Sequence, residues 1–173
     1  MAVVTTKSTQ ITNRDATPRT INNPAGVQGA MFQAVGTAEA ANGDSIGSKY
    51  IMCQIPSNAV GETVQLYCDA ITTCAGDIGI YRTTGDGGAV VDVDFYASAQ
   101  SLASAITTGT EVQHEADATD AGVGFGLADL EKPLWQRLQL SADPGVMYDV
   151  VVTLTAAAGS AGTIGLRVHG AAG

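Results

Sequence analysis

The stretch TVQLYCDAIT, residues 63–72, alternates apolar and polar side chains with a period of two. Every second side chain of a strand points to the same face, so this alternation predicts a strand with one buried face. The same pattern returns in residues 146–155 and 162–170. The side chains predicted to point inward are Val64, Leu66, Cys68 and Ala70 in the first stretch and Ile164, Leu166 and Val168 in the last.

Weaker alternation predicts four more strands, at residues 27–35, 49–55, 78–82 and 89–97. Side chains predicted to share one face of a strand are Ile51, Cys53 and Ile55 in the second of these and Val91, Val93 and Phe95 in the fourth, where they alternate with Asp92, Asp94 and Tyr96.

Turn and helix signals lie between the predicted strands. Gly, Asn, Asp and Pro at residues 42–44, 86–88 and 143–145 are typical of turns. Two short helices are predicted, at residues 97–106 and 130–138. In the second helix Asp129 is a possible N-cap and Pro133 is tolerable only in the first turn.

The composition agrees with an all-β fold. The chain has 173 residues, which suits one domain, and contains 21 Gly but only 5% aromatic residues. Thr and Val favour a pleated sheet, whereas a helical protein would carry more Leu, Glu, Lys and Arg. We therefore predict an all-β single domain of seven or eight strands, a β-sandwich or jelly roll with one or two short helices. Alternation does not encode strand order, so both architectures stay open.

The first 26 residues differ from the rest of the chain. They are rich in Thr and Asn, lack periodicity and carry a net charge of +2, whereas residues 27–173 carry −11. This contrast predicts an extended N-terminal arm, residues 1–26, that lies on a partner, followed by a β-domain, residues 27–173. A disordered tail is the alternative interpretation of the same segment.

Charge and cysteine content restrict the possible partners. The net charge is −9 with only 8 Lys and Arg, which disfavours binding to nucleic acid or to an anionic membrane. No apolar run has the length of a secretory signal or of a membrane span. The three cysteines, Cys53, Cys68 and Cys74, fit no metal-binding spacing and are interpreted as thiols in a reducing cytoplasm. One disulfide with a thiol left over is the alternative.

No catalytic constellation is found. His114 lies in an acidic loop and His169 beside Arg167, and neither has the Ser or Cys signature that would make it a general base. Asp92 and Asp94 have the spacing of a polar strand face and not of an EF-hand loop, with a metal such as Ca²⁺ or an inter-subunit contact as the alternatives. The sequence predicts no enzyme, no catalytic residue and no cofactor.

Two other segments have structural interpretations. The Gly-rich residues 122–126 lack the Lys and Ser/Thr of a phosphate-binding loop and read as a flexible loop. Trp135, the one tryptophan, is predicted to anchor the second helix against a sheet.

Four segments together resemble a family of head decoration (cement) proteins of tailed bacteriophages. They are KSTQITN at residues 7–13 with ATPR at 16–19, VDVDFYASAQSLASA at 91–105, KPLWQRLQLSADPG at 132–145 and YDVVVTLTAAAGSAGTIGLRV at 148–168. The resemblance implies a non-enzymatic virion protein that binds the outer surface of the major capsid shell and stabilises it. It also implies a homotrimer with a β-sandwich or jelly-roll domain, and the family offers no catalytic residues.

On this interpretation the arm is the expected contact region. Lys7, Arg14 and Arg19 would meet acidic patches of the capsid protein or of a neighbouring copy. Another virion component, such as a head fibre or tail protein, is the first alternative. A carbohydrate- or receptor-binding module is the second, and its candidate contacts would be Tyr67, Tyr81 and Tyr96. A small hydrolase with a jelly-roll fold is the least favoured.

Overall fold

Eight strands, one short helix and one 3₁₀ turn lie within residues 30–112 and 129–172. The computed structural model describes residues 12–13, 15–18, 20, 30–112 and 129–172. The strands are β1 (Ala30–Ala40), β2 (Lys49–Pro56), β3 (Val60–Cys68), β4 (Ala75–Arg82), β5 (Val90–Ser101), β6 (Ile106–Glu111), β7 (Met147–Ala156) and β8 (Gly162–Ala172). The helix α1 spans Leu134–Arg137, and a 3₁₀ turn at Thr84–Asp86 follows β4.

The strands form two antiparallel four-stranded sheets. The first sheet has the order β1-β8-β3-β6 and the second has the order β2-β7-β4-β5. Only β4 and β5 are neighbours both in the sequence and in a sheet, because every other connection passes from one sheet to the other. This connectivity is that of a jelly roll, which closes eight strands into two packed sheets. The predicted all-β sandwich is confirmed, and the structure adds the strand order.

The core lies between the two sheets and follows the predicted alternation most closely in β3 and β8. Inward-pointing side chains at most 6% exposed are Val64, Leu66, Cys68, Ile164, Leu166 and Val168. Full burial of each aliphatic side chain contributes about 1.5–3 kcal/mol. Ala70 is exposed instead of buried, because β3 ends at Cys68 and the chain leaves the sheet there.

The predicted common face of Ile51, Cys53 and Ile55 is wrong for Ile51, because β2 contains a bulge, whereas Cys53 and Ile55 both pack on the core. The pairing of β2 with β7 shifts between Ile51 and Cys53, so the period of two is interrupted. Met52 is consequently buried, whereas Ile51 is 57% exposed. Beside the bulge, a Cβ on Gly36 of β1 would lie only 1.7 Å from the Met52 carbonyl oxygen. Glycine is therefore required where the edges of the two sheets approach each other.

A larger irregularity changes the faces of β5. Ile80 of β4 pairs with Asp92 and Ile78 pairs with Ala97, so a short piece of β4 faces a longer piece of β5. The extra residues let consecutive side chains turn inward, and Tyr96 is 1% exposed although alternation had placed it on the polar face. The displaced strand lies over Gly79, where a Cβ would be 2.2 Å from a β5 carbonyl oxygen.

Both helix predictions need correction. Residues 97–101 belong to β5, since Ser101 pairs with Ala75 of β4 and the neighbouring residues pair likewise. Strand pairing here overrides the helix preference of an Ala-rich segment. Of the helix predicted at residues 130–138, only the four residues of α1 are helical. Its N-cap residue is Pro133 and not Asp129. Within the described residues, no helix has the length and hydropathy needed to cross a membrane.

Candidate interaction surfaces

Several residues singled out in the sequence lie outside the described residues. They are Lys7, Arg14 and Arg19 of the N-terminal arm, His114, and the Gly-rich segment 122–126. Their predicted roles stay predictions.

The outer face of the first sheet carries polar side chains beside two exposed apolar ones, Met31 and Val35 of β1. His169 is half-buried there, in register with Gln33 of β1 and Thr63 of β3. Next to it Arg167 donates a hydrogen bond from Nε to Oε1 of Gln65 over 3.1 Å. Amide, hydroxyl and guanidinium groups on a flat sheet can form hydrogen bonds with a partner. Along this face no described serine or cysteine pairs with His169, as a nucleophile activated by a histidine base would.

The tyrosines proposed for carbohydrate binding are mostly inaccessible. Tyr96 is 1% exposed and Tyr81 is 3% exposed, with its hydroxyl 2.8 Å from Oγ1 of Thr153. Tyr67 is half-buried on the outer face of the first sheet, with the Arg167 guanidinium 5.6 Å from its ring centre. A sugar-binding platform needs exposed ring faces, and two of these three rings do not offer them.

The two aspartates considered for a metal lie on β5 at the edge of the second sheet. Asp92 and Asp94 are both half-buried, and the backbone N–H of Asp94 donates to Oδ1 of Asp92 over 3.3 Å. In the ranges that the structure describes, no group of three or more His, Cys, Asp or Glu side chains could hold a metal ion. The described residues therefore supply no third metal-binding side chain beside Asp92 and Asp94.

All three cysteines are free thiols, so the alternative of one disulfide is wrong in this structure. Cys68 and Cys74 are buried, and burial raises the pKa of both thiols. Burial together with the nearby Asp149 carboxylate raises the pKa of the half-buried Cys53 to about 11. The thiols are therefore protonated at neutral pH, which makes them poor nucleophiles.

The short helix is fastened to the end of the sandwich by contacts that sequence reasoning missed. The side chain of Arg137 forms a buried ion pair with Glu62 of β3, and these side chains are 4% and 1% exposed. The backbone N–H of Leu134 donates to the Ala59 carbonyl over 2.8 Å, and Leu134 is completely buried. Trp135 is only half-buried, so Leu134 and Arg137 anchor the helix more than the predicted tryptophan does.

The ionisation of Glu62 depends on the neighbouring Arg137 guanidinium. Burial raises the pKa of Glu62, and the Arg137 guanidinium opposes that rise by favouring the carboxylate. The guanidinium also lies 5.2 Å from the centre of the Phe95 ring. One signal could have revealed the pair. Glu62 occupies an inward position in the alternation of β3, and a buried carboxylate requires a partner.

A groove of about 670 Å³ lies on the outer side of the second sheet, beside its edge strand β2. Its walls come from β2, from the start of β7 and from the 3₁₀ turn after β4. The apolar part of the lining includes Ile51, 57% exposed, and Met147, 41% exposed. The acidic part includes Asp86 and Asp149. Apolar and acidic groups are thus combined beside an unpaired sheet edge, a combination that the sequence did not indicate.

The comparisons with known proteins concern the fold. No protein-family model and no curated protein matches the sequence. A chain in the solved capsid asymmetric unit of cyanophage Pam1 has a similar structure, with a TM-score of 0.56 and 13% sequence identity. The similarity covers 92% of this chain and 97% of that chain. The two chains therefore share a fold over nearly their whole lengths.

Proposed function

We propose that this chain is a structural protein of a bacteriophage virion. The observation that carries the proposal is the fold similarity to a chain of a phage capsid asymmetric unit, which covers 92% of this chain and 97% of the other. Because nearly all of each chain takes part, the likeness involves the whole fold of this chain and not one shared motif. The surfaces described above add support, since they offer hydrogen bonding and apolar contact to a protein partner.

Within the virion, the protein binds the outer surface of the major capsid shell and stabilises it as a cement protein. The resemblance of four sequence segments to head decoration proteins supports this role. The physical mechanism needs only binding that is selective for the assembled shell. Each bound copy then stabilises the shell by about 2.7 kcal/mol at a free concentration of 100 times Kd. Many symmetric copies multiply that effect.

The arm, residues 1–26, contributes part of the contact with the shell or with a neighbouring copy. Lys7, Arg14 and Arg19 give this segment its positive charge, while the rest of the chain is strongly acidic. A basic extended segment can cover a large area of an acidic partner, although ordering it costs conformational entropy. The domain, residues 27–173, supplies the folded body that the arm attaches to the shell.

Three copies associate at positions of local threefold symmetry on the shell. Support comes from the resemblance to decoration proteins, and from the symmetry of icosahedral shells, where three capsid subunits meet. Light scattering coupled to size exclusion is expected to give about three times the chain mass of 17.5 kDa. A chain that stays monomeric both in solution and on the shell would contradict the trimer.

Co-sedimentation with capsid shells stripped of this protein tests the role. Saturable binding at a fixed number of copies per shell is expected, together with a higher temperature of shell disruption. A variant with Lys7, Arg14 and Arg19 replaced by Gln should bind more weakly and lose affinity less steeply with salt. Lys132→Gln is the matched control, because Lys132 lies on the folded body and is paired with Asp129. Absence of binding to mature shells would overturn the cement role and favour a tail or fibre component.

A further inference from the structure

The groove on the second sheet has a buried carboxylate in its lining. Asp149 of β7 is 3% exposed, and no described residue donates a hydrogen bond to its Oδ1 atom. Its neighbours in register are Gln54 of β2 and Tyr81 of β4, and the Tyr81 hydroxyl is hydrogen-bonded to Oγ1 of Thr153 instead. A buried carboxylate oxygen without a donor is costly in free energy. The lining of the groove therefore holds an acceptor that the described part of the chain does not use.

The described cations of the second sheet do not neutralise this carboxylate. Arg82 and Lys49 lie over tyrosine rings, with 5.3 and 4.9 Å between the charged group and the ring centre, and neither forms an ion pair with Asp149. Asp86 adds a second carboxylate to the lining, which among the described residues contains no Lys, Arg or His. Within those residues no group of three or more side chains could hold a metal ion. The negative charge of the groove therefore favours an organic cation.

The rest of the lining fits the aliphatic part of an arginine side chain. Ile51 and Met147 are 57% and 41% exposed in the groove, and methylene groups can pack against them. A guanidinium can donate two parallel hydrogen bonds to one carboxylate, which a lysine ammonium cannot do. The volume of about 670 Å³ also accommodates the residues on either side of the arginine. Gln54 and Met147 have unbranched side chains, so they can move aside and open a path to Asp149 without a shift of the backbone.

We propose that this groove receives an arginine side chain of a capsid shell subunit, with the guanidinium on the Asp149 carboxylate and the methylene groups between Ile51 and Met147. The identity of the partner rests on the function proposed above, whereas the preference for arginine rests on the groove itself. The contact places the second sheet against the shell and fixes the orientation of the domain. An uncharged or acidic side chain of another partner would leave the carboxylate unpaired, so the groove also supplies specificity.

An NMR titration of the full ¹⁵N-labelled chain, without capsid shells, tests the groove. The probe is N-acetyl-arginine N-methylamide, and saturable amide shifts are expected at residues 51–54, 83–86 and 146–149, with a Kd on the order of 1 mM. The matched probe is the citrulline analogue, which has the same shape without the charge. It should bind at least about tenfold more weakly, because the charge-assisted hydrogen bonds are lost. Equal binding of the two probes, shifts centred elsewhere or no saturable shifts would each overturn the proposal. A groove occupied by other residues of its own chain would give the last of these results.

Charge variants test the role of the Asp149 carboxylate. Asp149→Asn should weaken binding of the arginine probe about tenfold. Asp94→Asn is the matched control, because Asp94 is a half-buried carboxylate on β5 at the other edge of the same sheet, and it should leave the Kd unchanged. An unchanged Kd in Asp149→Asn would refute the ion pair. If Asp149→Asn fails to fold, the comparison with citrulline still decides the question.

Co-sedimentation with stripped capsid shells tests the partner separately. Asp149→Asn should bind shells about tenfold more weakly than the unaltered chain, and Asp94→Asn should bind as the unaltered chain does. Equal shell binding by Asp149→Asn would overturn the shell subunit as the source of the arginine and leave the cement role intact. Failure of the unaltered chain to bind shells would overturn the cement role, whereas the titration would still decide whether the groove takes arginine.

Discussion

Replacing Glu62 by Gln should destabilise the domain by about 3–5 kcal/mol, because it leaves the Arg137 charge buried without its partner. The two side chains are 1% and 4% exposed, so water cannot take over the lost interaction. The Phe95 ring lies 5.2 Å from the Arg137 guanidinium and stabilises its charge in part. The loss of stability should therefore lie near the lower end of that range. For a chain of this length the melting temperature should fall by roughly 6–20 °C.

Urea unfolding followed by two signals measures this loss and its location. Trp135 is the only tryptophan of the chain and lies two residues before Arg137, so its fluorescence reports on α1. Far-UV circular dichroism reports on the two sheets. If the ion pair mainly holds α1, the fluorescence transition of Glu62→Gln should precede the dichroism transition. If it stabilises the whole sandwich, both transitions should move together to lower urea.

Two further variants separate the buried pair from general effects of charge removal. Replacing both partners, Glu62→Leu with Arg137→Met, should cost less than Glu62→Gln alone because no buried charge remains. Lys132→Met is the control in the same segment, since Lys132 is 48% exposed in its ion pair with Asp129 and should cost only about 0.2–1 kcal/mol. A loss in Glu62→Gln no larger than in this control would refute the reasoning.

Three other predictions concern packing and titration. Gly79→Ala should cost about 1–3 kcal/mol in thermal unfolding, because its Cβ would lie 2.2 Å from a β5 carbonyl oxygen, whereas Gly85→Ala should be nearly neutral. A hydrogen bond from the Tyr50 hydroxyl, 2.6 Å long, lowers the pKa of Asp44. The stabilisation from that bond is present above the unfolded pKa of about 4 and is lost as the pH falls through the folded pKa, so Tyr50→Phe should reduce the loss of stability in acid. Because the pKa of Cys53 is about 11, its alkylation rate should keep rising up to that pH, and a plateau near pH 9 would contradict this.

The regular strands were predictable from the sequence. In β3 and β8 the alternation matches the buried faces, because each strand pairs on both sides through most of its length. The faces of β2 and β5 were not predictable, since bulges change the phase of the alternation and the bulges depend on the partner strand. The groove on the second sheet was not predictable for the same reason. Ile51 was predicted to share a face with Cys53 and Ile55, and its exposure in the groove follows from the bulge in β2.

The sequence alone determined the all-β class, the turn positions and the charge contrast between residues 1–26 and the rest of the chain, because these depend on local composition and on a period of two. The tertiary structure decided the jelly-roll order, the burial of Tyr96 and the pairing of Glu62 with Arg137, 75 residues further along the chain. It also decided that Asp149 is buried in the lining of the groove on the second sheet. These features arise from contacts between distant segments, and local side-chain patterns carry no information about which segments meet.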